Sequence, residues 1–347
     1  MATEIGNVVT LLDVARATDP KGQIPALVEL MSQTNEMLDD IPWLECNNGT
    51  GHITVSRTGI PSGTWRKYNQ LVIPGKSTRT QVTDTCGMLE AYSEIDAALA
   101  KLNNNDARWR LSEERGYIEG LNQDLAYGLF YADTAINPEQ IMGLAARFDT
   151  PSATETNVGS QLIDGGGVST DNTSLWLLLW GENTVHGIYP KGSKAGLTID
   201  DKGQVTAGDA TNGYMEVLRT HYKWDLGLCV RNWQAIVRVC NLDISDLKTA
   251  GADSDTSANL INLMIDAEER IPSALWAGGK AAWYCNKRVR TALKKQLINR
   301  SNTLIALEKL TGAGGLIRNT LTFDGIPLRR VDKIGIAEDR ITGTFWS

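Results

Sequence analysis

The sequence has little of what catalytic and metal sites usually need. Among its 347 residues there are only three histidines and five cysteines, and no two cysteines form a CxxC pair. His52, His186 and His221 each stand alone in a strand-like stretch, without an HExxH or Ser/His/Asp pattern nearby. We therefore expect structural or surface histidines and buried, unreactive thiols, and neither a disulfide framework nor a structural zinc site.

Other absences narrow the class of protein further. No stretch approaches the roughly 18 apolar residues that span a bilayer, and the first residues do not resemble a secretory signal, so we expect no membrane contact and a reducing cytosol. The glycine clusters Gly165–Gly167 and Gly312–Gly315 lack the spacing of phosphate-binding loops. The sequence thus predicts no catalytic, cofactor-binding or metal-binding residue, and the chain is not expected to be an enzyme.

What the sequence does contain points to surfaces. Hydrophobic residues make up 42% of the chain, and there are ten tryptophans against four phenylalanines. The net charge is -7, but residues 280–347 hold 13 basic and 5 acidic residues, a balance of +8, which leaves -15 for residues 1–279. Such an asymmetry fits contact with nucleic acid, and equally a contact between opposite ends of neighbouring copies.

The N-terminal part predicts an arm followed by a projecting hairpin. Residues 1–45 are sparse in apolar side chains except for a helical pattern near Ile24–Leu38. In the hairpin, residues 46–90, the return leg Ser77–Thr85 has a single aliphatic residue, Val82. Such a ribbon cannot bury a face against its own domain, so we expect another subunit to stabilise it. The candidate residues for this contact between subunits are Trp65, Arg66, Lys67, Tyr68, Lys76 and Arg79.

A long amphipathic helix is predicted over Asp106–Tyr131. At about 1.5 Å per residue it would be a rod of about 38 Å. Gly116, Gly120 and Gly128 recur in multiples of four, which suggests that something packs closely on that side. One stripe at helical spacing holds the apolar residues Trp109, Tyr117, Ile118, Leu121, Leu125 and Leu129.

The remainder predicts strands and two shorter helices. The helices are expected over Asn259–Ile271 and, after a cap at Asn286, up to about Ile298. The second helix carries a basic face that could meet DNA phosphates, acidic neighbours or solvent, formed by Lys287, Arg288, Arg290, Lys294 and Lys295. Strands are expected at Ser174–Gly181, Leu218–Val230, Thr320–Phe323, Pro327–Val331 and Ile341–Phe345.

Several segments resemble the major capsid proteins of tailed bacteriophages, which have the Hong Kong 97-like capsid fold. Together with the arm, the hairpin and the long helix upstream, they cover most of the chain in the order of that family. They are WGENTVHGIYPKGSKAGL at 180–197, WDLGLCVRNW at 224–233, RVCNL at 238–242, WYCN at 283–286 and FDGIPL at 323–328.

The resemblance implies an α+β fold with the parts of that family. It assigns residues 1–45 to an N-terminal arm and 46–90 to an extended hairpin loop that lies over a neighbour. Residues 91–244 and 321–347 would form a peripheral domain with a spine helix over 106–131. Residues 245–320 would form an axial domain at the centre of hexamers and pentamers.

The resemblance also implies a function and partners. The chain would be a structural subunit of an icosahedral shell around double-stranded DNA, located in the virion and assembled in the bacterial host cytoplasm. A separate scaffold protein is implied, since 45 residues before the hairpin are too few for a built-in one, together with a portal and a decoration protein. The alternatives are the shell of a cellular nanocompartment and, with less support, a soluble enzyme.

Overall fold

The computed structural model describes residues 33, 35–49, 51–101, 106–209, 213–249, 260–299, 305–311 and 317–346. The helix expected near Ile24–Leu38 lies almost entirely outside these residues. Within them, a 3-10 helix occupies Glu36–Asp39 and buries Met37.

Strands are the commonest regular structure among the described residues, and most of them join one mixed sheet. The strands are β1 (Trp43–Glu45), β2 (Gly51–Gly59), β3 (Thr78–Thr85), β4 (Gly87–Asp96), β5 (Leu162–Asp164), β6 (Asn172–Trp180), β7 (Val185–Tyr189), β8 (Thr198–Asp209), β9 (Gly213–Val230), β10 (Ile236–Asp243), β11 (Lys280–Cys285), β12 (Ile305–Thr311), β13 (Ile317–Phe323) and β14 (Ile326–Arg330).

The helices lie around this sheet, and one of them is far longer than the others. None of the described helices combines the length and the apolar character that crossing a membrane would require. They are α1 (Ala97–Ala100), α2 (Asp106–Tyr131), α3 (Leu144–Arg147), α4 (Ile244–Thr249), α5 (Leu260–Glu269), α6 (Ser273–Trp276) and α7 (Lys287–Asn299).

Strand β6 is the centre of the core. All nine of its residues are buried, and it pairs antiparallel with β10 on one side and β11 on the other. A strand covered on both faces needs a continuous apolar run, which explains the sequence Leu175–Trp180. The prediction of a buried strand here is confirmed.

The longest strand, β9, forms a ribbon with β4 and β8. It has 18 residues, pairs with β4 from Gly87–Leu226 to Asp96–Val217, and pairs with β8 along its first half. The period-two pattern from Leu218 to Val230 predicted this strand correctly, because its apolar side chains face one side of the sheet. Residues 87–90 therefore belong to this ribbon, and the hairpin itself ends at Thr85.

Helix α2 spans the 26 residues that the apolar periodicity predicted. Leu121, Leu125 and Leu129 are buried, whereas Ile118 is 38% exposed, contrary to the predicted stripe. The first half of α2 meets the ribbon through Tyr117, whose ring stacks on Tyr222 at 5.5 Å, and this contact leaves Ile118 on the open flank. The side chain of Trp109 lies outside the described residues.

The C-terminal segment crosses the sheet without forming the strand expected at Ile341–Phe345. The Asn241 side chain makes the hydrogen bonds that strand pairing would have made. Its Nδ2 donates to the carbonyl oxygen of Ile341, and its Oδ1 accepts from the Ile341 amide. Earlier in the segment, Glu338 accepts a hydrogen bond of 2.9 Å from buried Arg238. The segment is thus held by side chains, which a strand pattern cannot indicate.

Candidate functional site

The hairpin β2–β3 is a two-stranded antiparallel sheet separate from the main sheet. Every residue from 60 to 76, between its strands, is exposed. Trp65 and Tyr68 are 100% exposed, and Leu71 is 94% exposed. Isolated ribbons are marginal in water, and contiguous exposed apolar side chains mark interaction surfaces. The tip therefore has the composition of a surface that becomes covered.

The hairpin is basic as well as apolar. Residues 51–85 contain five basic residues and a single acidic one, Asp84, a balance of +4. Asp84 is buried and accepts a hydrogen bond of 2.7 Å from Arg147. The exposed basic residues are Arg57, Arg66, Lys67, Lys76 and Arg79. The structure thus brings all six predicted contact residues onto the exposed surface of one hairpin.

The base of the hairpin is tied to the main sheet by polar contacts. Besides pairing with Arg147, Asp84 accepts from the Val230 amide at 3.3 Å. Arg147 also donates to the Leu228 carbonyl oxygen at 3.3 Å. On the other strand, the Ser56 hydroxyl donates to the Arg231 carbonyl oxygen at 3.0 Å. These contacts hold the base, while nothing described covers the tip.

A groove between α2 and β4 is lined by acidic side chains, in contrast to the basic hairpin. Its two adjoining cavities, of about 330 and 400 Å³, share Leu89 and Asp124 in their linings. A Cβ atom added at Gly116 or Gly120 would meet no described atom within 4 Å outside the backbone of α2 itself, so the groove is open at these glycines. The acidic residues of the lining are Glu90, Asp124 and Glu139. The predicted close packing on this side of α2 occurs within the described subunit only at Gly128, near Ile141.

The predicted basic face lies on α7. Lys287, Arg288, Lys294 and Lys295 are exposed. Arg290 is half-buried instead, and its Nη1 lies 3.8 Å from Glu36 Oε2. The free face therefore contains four of the five predicted residues, since Arg290 is turned toward the segment before β1.

The sequence spacing suggested three isolated histidines, but two of them lie together. The rings of His52 and His186 meet edge to face, with 5.4 Å between their centroids, and Cys229 lies beside them. His221 alone is separate, where it stacks on Tyr92 at 4.3 Å. Sequence reasoning missed this group because its members come from three different strands.

All five cysteines are free thiols. Cys46 Sγ and Cys86 Sγ lie 3.4 Å apart, close to the base of the hairpin. Burial raises the pKa of Cys86 and Cys229, and for Cys229 the nearby Asp84 adds to the shift. Burial also raises the pKa of Cys240 and of Cys285 to about 12. At neutral pH these thiols are protonated and therefore weak nucleophiles.

Comparison with known proteins places this architecture in a family. A family model described as major capsid protein GP7 matches residues 19–342. A chain of the cryo-EM structure of bacteriophage Epsilon15 is 33% identical, with a TM-score of 0.78 over 99% of this chain and 100% of that chain. A chain of the bacteriophage JBD30 capsid is 11% identical, with a TM-score of 0.49 over 88% of this chain and 92% of that chain. No curated protein sequence matches the chain.

The family match and the match to the Epsilon15 chain define a structural protein of phage capsids. The chain belongs to the major capsid protein GP7 family. The resemblance to tailed-phage capsid proteins and the predicted α+β, Hong Kong 97-like fold class are confirmed. The family and its structural relatives are shell proteins and not enzymes, so the catalytic alternative is excluded on that ground.

Proposed function

We propose that copies of this chain assemble into hexamers and pentamers of an icosahedral shell that encloses double-stranded DNA. In this proposal the β2–β3 hairpin, Gly51–Thr85, lies on a neighbouring copy, and residues 245–320 gather at the centre of each capsomer. A separate scaffold, a portal and a decoration protein are the further partners, and assembly takes place in the host cytoplasm. Membership of a capsid family supports the shell itself.

The observation that carries the proposal is the full exposure of Trp65 and Tyr68 at the tip of the hairpin. Burying a large aromatic side chain contributes about 1.5–3 kcal/mol, and two of them on an isolated ribbon contribute nothing to the subunit that carries them. A hairpin that is supported only at its base gains this energy when a second copy covers its tip.

The α2–β4 groove has the properties that such a tip requires. Its acidic lining complements the five basic residues of the hairpin, and opposite charges across an interface fix orientation and favour association. Exposed Met88 and Tyr127 supply apolar surface beside it. We infer that the hairpin of one copy packs against this groove of its neighbour.

Replacing Trp65 tests this role. Trp65→Ala is expected to reduce the yield of assembled particles strongly, while the unassembled subunit keeps its circular dichroism spectrum and Tm. Thr64→Ala is the matched control, because Thr64 is exposed at the same tip and loses little contact area. An equal loss of folding and assembly in Trp65→Ala would contradict a projecting interaction surface.

The basic face of α7 is the second proposed surface, and it meets either packaged DNA or an acidic part of a neighbour. Reversing two of its charges, Lys294→Glu with Lys295→Glu, separates these cases. Normal shells with less packaged DNA, and a weaker dependence of DNA retention on salt, would identify a phosphate contact. A lower yield of empty shells would identify a contact between subunits, and no effect on either would remove α7 from the proposal.

A further inference from the structure

Three potential ligands converge where the hairpin joins the main sheet. His52 lies on β2, His186 on β7 and Cys229 on β9. His186 and Cys229 are direct cross-strand partners, so their side chains leave the sheet on the same face. One nitrogen from each histidine and the Cys229 sulfur all lie within 4.8 Å of one another.

The nitrogens of this group lack partners. His186 is 1% exposed, yet neither of its ring nitrogens has a hydrogen-bond partner of ordinary geometry among the described residues. The Nδ1 atom of His52 is buried and unpartnered within the same part of the chain. A buried polar group without a partner costs about 1–3 kcal/mol. A neutral imidazole carries one lone pair, on the ring nitrogen that is not protonated, so the two rings together offer two lone pairs to a bound ligand.

We propose that His52, His186 and Cys229 hold a Zn²⁺ ion. Imidazole nitrogen and cysteine sulfur are the donors that zinc prefers, and this donor set disfavours calcium and magnesium, which bind oxygen. A tetrahedral zinc ion with bonds of about 2.0–2.3 Å keeps its ligand atoms about 3.3–3.8 Å apart. Binding would draw the ligand atoms, which lie within 4.8 Å of one another, closer together by side-chain rotation. The inference does not depend on the hairpin docking proposed above.

Neighbouring groups define the rest of the site. Asp84 lies beside Cys229 and is already engaged by Arg147 and by the Val230 amide. His52 is half-buried, and a water molecule would complete the coordination of the ion. On binding, the S–H bond of Cys229 is replaced by a Zn–S bond, and the proton passes to solvent.

A bound ion would fix the hairpin to the rest of the subunit. β2 belongs to the hairpin, whereas β7 and β9 belong to the main sheet, so the ion would join two otherwise separate sheets. The hairpin would leave the subunit at a defined angle while its tip stays free. Metal binding would also stabilise the folded subunit, because the unfolded chain does not bring the three ligands together.

Zinc content of the purified, folded full-length chain tests the proposal. After loading with ZnCl₂ and removal of free metal, about one zinc per chain is expected by mass spectrometry of the metal. His52→Ala and Cys229→Ser should each retain less than about a tenth of that amount. Matched controls are His221→Ala and Cys86→Ser, which should bind zinc like the wild type, because neither residue belongs to the group.

Two further readouts make the outcome decisive. Co²⁺ in place of zinc should produce a thiolate-to-cobalt charge-transfer band, absent in Cys229→Ser, and EDTA should lower the Tm of the wild type but not of His52→Ala. His52 is the safest position to change, since it is the least buried of the three. Folded wild type without zinc, or full zinc in both ligand variants, would overturn the proposal, as would binding of other metals but not zinc.

Discussion

Arg329 donates two hydrogen bonds to Asp40, one from Nε to Oδ2 and one from Nη2 to Oδ1, each 2.9 Å long. The side chain of Asp40 is 0% exposed. Lys280 Nζ donates to the same carboxylate at 2.8 Å and Tyr284 Oη at 3.0 Å, while Trp180 Nε1 donates to Tyr284 Oη at 2.7 Å. This network joins the segment before β1 to β11, β14 and the central strand β6.

Asp40→Ala is expected to lower the free energy of unfolding by about 3–5 kcal/mol, because it leaves the Arg329 charge without its buried partner. Asp39→Ala is the control: Asp39 is the neighbouring acid but is exposed, so a change under about 0.5 kcal/mol is expected. Urea unfolding of the unassembled subunit measures both. Equal effects of the two substitutions would show that the network does not hold the N-terminal segment.

Glu268 on α5 makes stability depend on pH. Burial, followed by repulsion from Asp324, raises the pKa of its carboxyl group to about 7. The unfolded chain has a pKa near about 4.3 at this residue, so between these values the folded state binds a proton that the unfolded state has lost. The contribution of Glu268 therefore favours folding at acid pH, and it declines as the pH rises through this window.

Glu268→Gln removes this titration. The Tm of the variant minus the Tm of the wild type, measured on the unassembled subunit, should be larger at about pH 8 than at about pH 5. Glu269→Gln is the matched control, since Glu269 is the adjacent residue and is exposed. Parallel pH profiles of wild type and Glu268→Gln would contradict a raised pKa.

Gly120 tests whether the α2–β4 groove is an interface. Gly120→Ala should stabilise the isolated subunit by about 1 kcal/mol, because alanine has the higher helix propensity and meets no described atom. Gly120→Trp should fill the groove, leave the subunit folded and reduce the particle yield. Undiminished assembly of Gly120→Trp would show that the neighbour does not use this groove.

Sequence periodicity predicted the long elements well. β6, β9 and α2 are each long enough for a buried face to repeat several times, so their patterns are unambiguous. The strand predicted at Ile341–Phe345 was wrong, because hydrogen bonds to the Asn241 side chain, rather than pairing with another strand, hold that segment.

The sequence predicted the candidate sites only where they do not depend on contacts between distant parts of the chain. The scarcity of aliphatic residues in the hairpin predicted its separation from the main sheet. The exposure of Trp65 and Tyr68 follows from that separation. The orientation of Arg290 toward Glu36 depends on packing that α7 alone does not encode. His52, His186 and Cys229 are distant in sequence, and the pairing of β7 with β9 brings two of them together.

The location of Trp65 in assembled particles decides whether the hairpin joins neighbouring copies. Cryo-EM of particles formed by the full-length protein with its scaffold should resolve hexamers and pentamers. The Trp65 ring should lie within about 4.5 Å of the α2–β4 groove of a neighbouring copy. Protein that remains a folded monomer under these conditions, or shells in which Trp65 contacts only its own subunit or solvent, would contradict the account.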